Sequence, residues 1–162
     1  MHPIRSMPRG AFRSVDLPLA ALPSREEWQA RAKKDEPGGL LAREILRRLD
    51  RGERIAETTA FPIQVWAFGS DLAMVFLGGE VVADYGLRLK RELDGSRLWV
   101  NAYSNDVPFY VASRRMIPEG GYEVDRSMVY YGQPARLGDG TEDLIVRTVR
   151  ELVPASFRRR GQ

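Results

Sequence analysis

The sequence of 162 residues predicts an α/β domain, a mixed sheet with flanking helices, and three patterns carry that prediction. Leu41, Ile45 and Leu49 recur at i, i+4 and i+8 opposite a row of arginines, which is the apolar stripe of an amphipathic helix. Residues 61–68 alternate around Val65, Trp66 and Phe68, and after the turn Gly69-Ser70-Asp71 the run Leu72 to Leu77 is continuously apolar, so the two read as a hairpin. Gly78 and Gly79 then end the second strand, and the spacing changes from that of a strand to that of a helix.

Taken in order, residues 1–23 hold Pro3, Pro8, Pro18 and Pro23 with little periodicity, and read as an extended Pro-rich lead that does not fold by itself. Ser24 followed by Glu27 is a capping box, which starts a helix over 25–34 that Pro37 and Gly38 close. The striped helix follows over 38–51 and stops at Gly52. In the hairpin, the second strand reads as buried on both faces, and Trp66, like Trp99 further on, reads as core. Glu80 opens a pattern with Val82, Tyr85 or Gly86, Leu89 and Leu93 that fits a helix of about 13 residues. Leu98 to Tyr103 is a third strand, Asn105 to Pro108 a loop, and Phe109 to Ala112 a short extended piece. Tyr122 to Tyr131 is aromatic and extended in character, and a last helix over 141–153 turns Ile145, Val149 and Leu152 inward. The organisation expected is therefore a lead over 1–23, a domain over 24–153 and a basic tail over 154–162.

Composition narrows the function classes. Lys plus Arg number 25 against 22 Asp plus Glu, a formal charge of +3, and most arginines alternate with acids along helices, as Arg43, Glu44, Arg47, Arg48 and Asp50 do. That pattern marks a solvated helix face, and nucleic acid is not an expected partner. With no Cys there is no disulfide framework and no thiolate zinc site. The single histidine, His2, cannot by itself build a metal site of several imidazoles. No apolar run reaches the roughly 18 to 20 residues of a membrane-spanning helix, and prolines and arginines interrupt any signal-like core near the N-terminus.

Phosphate-cradling, dinucleotide-binding, zinc-protease and nucleophile-elbow motifs are all missing from the chain. What remains is Glu80, placed where a buried strand and two glycines meet a helix. There it either complements the positive end of that helix or serves a site at the sheet end. The segment Asn101 to Tyr110 follows the next strand, so if the two strands are neighbours its loop emerges beside Glu80. Arg88, two turns on, either covers the helix surface or pairs with an acid, and Asp84 has a surface role.

Gly79-Glu80, then Gly86-Leu87-Arg88-Leu89-Lys90, then Asn105 and Tyr110, then Tyr122-Glu123 and Tyr131-Gly132, together resemble the C-terminal part of the catalytic domain of the neutral, alkaline or non-lysosomal ceramidases, over roughly residues 15–153. The resemblance implies an incomplete part of a larger catalytic domain. Its parent chemistry is zinc-dependent hydrolysis of the N-acyl amide of ceramide, giving sphingosine and a fatty acid. It also implies that Glu80 and Tyr110 are two of the zinc ligands, a carboxylate and a phenolate oxygen being donors that suit zinc. The family's two zinc histidines, and the serine and arginine beside the metal, lie upstream of the matched region, and Val107 stands where the family has a tyrosine. No catalytic residue is thereby assigned in this chain. Asn105 is expected to tie down the turn that presents Tyr110, and Tyr131 to lie on the substrate side. Expected partners are an N-acyl lipid and the missing N-terminal half or a partner chain, with self-association through an exposed sheet edge. The family is largely exported or membrane-associated, which leaves the compartment open here. The other reading is a non-catalytic interaction module or remnant that keeps the half-fold.

Overall fold

The computed structural model describes residues 3–159, so His2 and the last arginine of the basic tail, Arg160, lie outside the described residues. Its first element is a strand inside the expected lead. β1 (Pro8–Pro18) pairs antiparallel with β2 (Thr58–Phe68) along its whole length, from Pro8 opposite Phe68 to Pro18 opposite Thr58. The lead is therefore part of the sheet, and Leu17 is fully buried. Two causes hid it: β1 is an edge strand, where prolines are tolerated at the ends, and its inward residues include Arg13, which pairs with Glu151 on the last helix instead of packing as an apolar side chain.

The hairpin is as expected. β2 turns through Gly69, at φ 54°, into β3 (Leu72–Leu77), with Val65 opposite Val75. β5 (Leu98–Asn101) then lies parallel to β3, joined to it through α3 (Ala83–Glu92), and the sheet order β1-β2-β3-β5 is mixed. Two short strands, β4 (Glu80–Val81) and β6 (Tyr110–Val111), form a separate parallel pair at the end of this sheet. Helix α3 and the C-terminal α4 (Thr141–Leu152) share one core with the sheet, in which Phe61, Ile63, Val75, Leu77, Tyr85 and Ile145 are fully buried. The helical hairpin α1 (Arg25–Ala32) and α2 (Pro37–Asp50) has its own small core of Trp28, Ala42 and Ile45, and α1 opens on the expected capping box.

Four expectations are corrected. β3 is buried on one face only: Ala73, Val75 and Leu77 are covered, whereas Leu72, Met74 and Phe76 lie on the other side and are partly open. Trp66 and Trp99 are not core; register sets them either side of Met74 on that open face, 41% and 58% exposed. The helix expected from Glu80 starts at Ala83, because Glu80 and Val81 pair with Tyr110 and Val111 first. Residues Tyr122–Tyr131 are helical turns, not a strand, and bury Val124, Ser127 and Met128, the i, i+3, i+4 spacing of one helix face. The basic tail is also tied back as far as it is described. Phe157 is fully buried, Arg158 bridges to Leu93, and Arg159 Nε donates to the Leu93 carbonyl at 3.0 Å.

Candidate functional site

Two glycines let the chain approach itself closely enough to build the site. A Cβ on Gly78 would stand 2.8 Å from the Pro62 ring, and one on Gly79, which has φ 72°, would stand 2.7 Å from the Phe109 carbonyl oxygen. Only glycine fits both demands at position 79. The space so left is filled by backbone hydrogen bonds: Gly79 N–H donates to Asp106 O at 2.8 Å and Glu80 N–H to Phe109 O at 2.9 Å. In return Tyr103 N–H donates to Gly79 O at 2.9 Å and Ser104 N–H to Leu77 O at 3.0 Å. The loop after β5 is thus zipped onto the end of β3, as expected of neighbouring parallel strands whose ends share an edge.

This zipping brings together the two residues that the sequence singled out. Glu80 and Tyr110 are register partners in the β4–β6 pair. Tyr103 donates from its hydroxyl to Glu80 Oε2 at 3.0 Å, and Tyr131 donates to Glu80 Oε1. Tyr110, Tyr131 and Tyr103, in that order of effect, hold the carboxyl of Glu80 below its ordinary range, because each phenol stabilises the ionised form. The carboxylate answers in kind: it pushes the Tyr110 phenol up to about 12 and raises Tyr131 and Tyr103 as well. Glu80 is therefore an anion at neutral pH ringed by neutral phenols. Tyr110 can offer a phenolate oxygen only where a cation takes the place of its proton.

No family model, curated protein or solved structure matches the chain.

Around this carboxylate the tyrosines form a connected wall. Tyr110 meets Tyr122 edge-on with ring centroids 5.8 Å apart and Tyr131 at 6.4 Å, and Tyr122 lies 6.4 Å from Tyr130. Tyr131, expected on the substrate side, reaches Glu80 itself, while Tyr130 is 64% exposed at the outer end of the wall. Tyr103 was not singled out in the sequence. It sits at φ 54° in the left-handed region, a conformation that costs a non-glycine residue energy and that here accompanies a phenol aimed at Glu80. Nothing in its sequence context marks a left-handed tyrosine.

Asn105, also left-handed at φ 68°, does not bond the turn that presents Tyr110; its amide donates to Gln64 Oε1 at 3.4 Å across to β2. Asp106 fixes its own turn instead, accepting from Val107 N–H at 2.8 Å. Arg88 stands away from the carboxylate. It joins the two helices by donating to Glu92 and Glu142 at 2.7 Å each and pairing with Asp143 at 2.8 Å. Asp84 accepts from Ser113 Oγ at 2.5 Å and pairs with Arg115. Among the described residues no three His, Cys, Asp or Glu side chains converge as a metal-binding group, so Glu80 and Tyr110 make at most half of a four-coordinate zinc shell.

Proposed function

We propose that Glu80 and Tyr110 are two oxygen ligands of a zinc ion, in a centre that hydrolyses the amide bond of an N-acyl lipid of the ceramide kind. In this reading the remaining ligands come from a polypeptide outside residues 3–159. The observation that carries the proposal is the register pairing of Glu80 with Tyr110 under a ring of phenols that keeps the carboxylate ionised. A carboxylate and a phenol fit zinc as donors, but two oxygens without imidazole hold it poorly, so the chain alone is not expected to be a competent hydrolase.

Bound in such a shell, zinc supplies an activated water and polarises an acyl carbonyl. The chain's own part is to keep Glu80 charged and fixed. Tyr131, from a helical turn, and Tyr103, from the loop after β5, each take one of the two carboxylate oxygens, so their hydrogen bonds set its orientation before any cation arrives. Tyr122 and Tyr130 continue the aromatic wall outward from Tyr110, a surface on which an apolar chain can lie. The second reading, an interaction module without catalysis, draws on a different observation, the exposed tryptophans of the sheet.

Isolation of the protein from its own cells with an antibody to residues 24–153 tests both readings. Intact mass, zinc content and release of fatty acid from an N-acyl sphingosine are read on the same sample. The zinc reading expects metal and hydrolysis, both lost in Glu80→Ala and the metal weakened in Tyr110→Phe. A sample that carries the intact Glu80 and Tyr110 yet neither zinc nor activity overturns it.

A further inference from the structure

The helices α3 and α4 cover one face of the four-stranded sheet, and among the described residues no helix covers the other. On that open face, register lines up Gly10, Trp66, Met74 and Trp99 in one row across all four strands, with Phe12, Gln64, Phe76 and Asn101 in the next. Phe12, Trp66 and Trp99 are 59%, 41% and 58% exposed, and Trp66 lies 5.2 Å from Phe76, centroid to centroid. A sheet that faces water on one side normally alternates apolar inward with polar outward. Here the outward set includes Phe12, Trp66, Phe68, Phe76 and Trp99. In a chain with 25 Lys plus Arg, no outward-facing residue of these strands is basic and Asp16 alone is acidic, since Arg9 and Arg13 fall on the helix side opposite Ala67 and Ile63.

We propose that this face is a homodimer interface, in which a second copy of the chain packs its own sheet against it. Two features select a second copy over another occupant. The first is area. With an aromatic side chain carrying ~150–250 Å², the three exposed aromatics leave roughly 350 Å² open, and Met74, Phe76 and their neighbours bring the face to roughly 600 Å². Two such faces bury roughly 1,200 Å² together, the lower bound of a specific interface. The second is charge: the face is neutral apart from Asp16, so two copies meet without repulsion although each chain carries +3. Two sheets stacked about 10 Å apart then leave helices outermost on both sides, the ordinary layering of a sheet sandwich. The sheet edges suit pairing less well. β1 has prolines at both ends and exposed arginines along its length, and β5 is four residues long.

The test is the mass of the full chain by light scattering after gel filtration and by sedimentation, from 1 to 100 µM. The expected species at the upper end is twice the 18.4 kDa chain. Dilution should shift tryptophan emission to the red, because Trp66 and Trp99 sit in the interface and Trp28, 3% exposed, does not. Phe12→Glu and Trp99→Glu should each return the mass to 18.4 kDa at 100 µM, with circular dichroism melts unchanged in shape to show that the core is intact. A wild-type chain that stays monomeric at 100 µM overturns the proposal, and so does association that survives both variants or grows into open-ended aggregates. Zinc plays no part in these readouts, so their outcome is separate from that of the hydrolase reading.

Discussion

Replacing Tyr131 by Phe removes one hydroxyl from Glu80 and leaves the ring that packs edge-on against Tyr110 in place. A hydrogen bond to a charged group contributes about 1.5–3 kcal/mol, and because Glu80 and Tyr131 are only partly covered, about 1–2 kcal/mol is the expected loss. At about 2.1 cal/mol/K of unfolding entropy per residue, a chain of this length loses about 3 °C of Tm per kcal/mol, so Tyr131→Phe should melt about 3–6 °C below wild type at pH 7. The pH dependence follows from Glu80. Its carboxyl is held below the ordinary value of 4.5 in the folded state, so the stability it contributes is present above that value and is lost as pH falls through the folded value. The gap between wild type and variant should therefore be full from pH 6 to 7 and should narrow below pH 4. Thermal melts followed by circular dichroism from pH 3 to 7 read both quantities. A gap under 1 °C at pH 7, or one that does not change with pH, would refute an anionic Glu80 held by its phenols.

Three further outcomes are expected. Arg88→Met leaves Glu92, Glu142 and Asp143 facing one another without their shared cation, and should cost on the order of 3 kcal/mol at pH 7, read as the shift of the urea midpoint. Gly79→Ala meets both a left-handed backbone and the Phe109 carbonyl, whereas Gly121→Ala, at φ 108° with nothing within 4 Å, meets the backbone cost alone; urea unfolding should find the first several times more costly than the second. Phe157→Ala removes a fully buried ring that also lies 4.9 Å beneath the Arg97 guanidinium, and should cost about 3–5 kcal/mol by chemical denaturation, so truncation after residue 153 should not yield a stable domain.

The elements legible in the sequence are those with a strong local signal. A capping box marks the start of α1, an i, i+4, i+8 stripe marks α2, and the Gly69 turn between two apolar runs marks the β2–β3 hairpin. What escaped depends on partners far away in the chain. β1 has no apolar alternation of its own, since Arg13 stands at an inward position where Glu151 neutralises it, and it becomes a strand only through its register with β2. The segment over Tyr122–Tyr131 is rich in residues that favour strands, yet Val124, Ser127 and Met128 are buried together, and the spacing i, i+3, i+4 falls on one side of a helical turn but on both sides of a strand. The site divides in the same way. Glu80 stands out by position, at the end of a strand behind two glycines, but Tyr103 is brought to it by a left-handed backbone that no residue nearby announces.

The exposed tryptophans join these two halves of the reading. Trp66 and Trp99 look like core residues because a tryptophan in a strand is usually covered, but they stand 41% and 58% exposed, and the second copy proposed above is what would cover them. Both stand on strands whose other face is turned to the core: Val65 and Ala67 flank Trp66, Leu98 precedes Trp99, and all three are buried. The aromatic rows belong to the same strands that carry Gly78, Gly79 and the loop to Tyr103, and Asn105 reaches from that loop to Gln64 within the second row. A layer packed on this face would therefore meet the loop that carries Tyr103 to Glu80. If Phe12→Glu dissociates a dimer, the Glu80 carboxyl, observed by carbon NMR, should also titrate differently in the two forms. An unchanged titration would mean that the face and the carboxylate are independent features of one sheet.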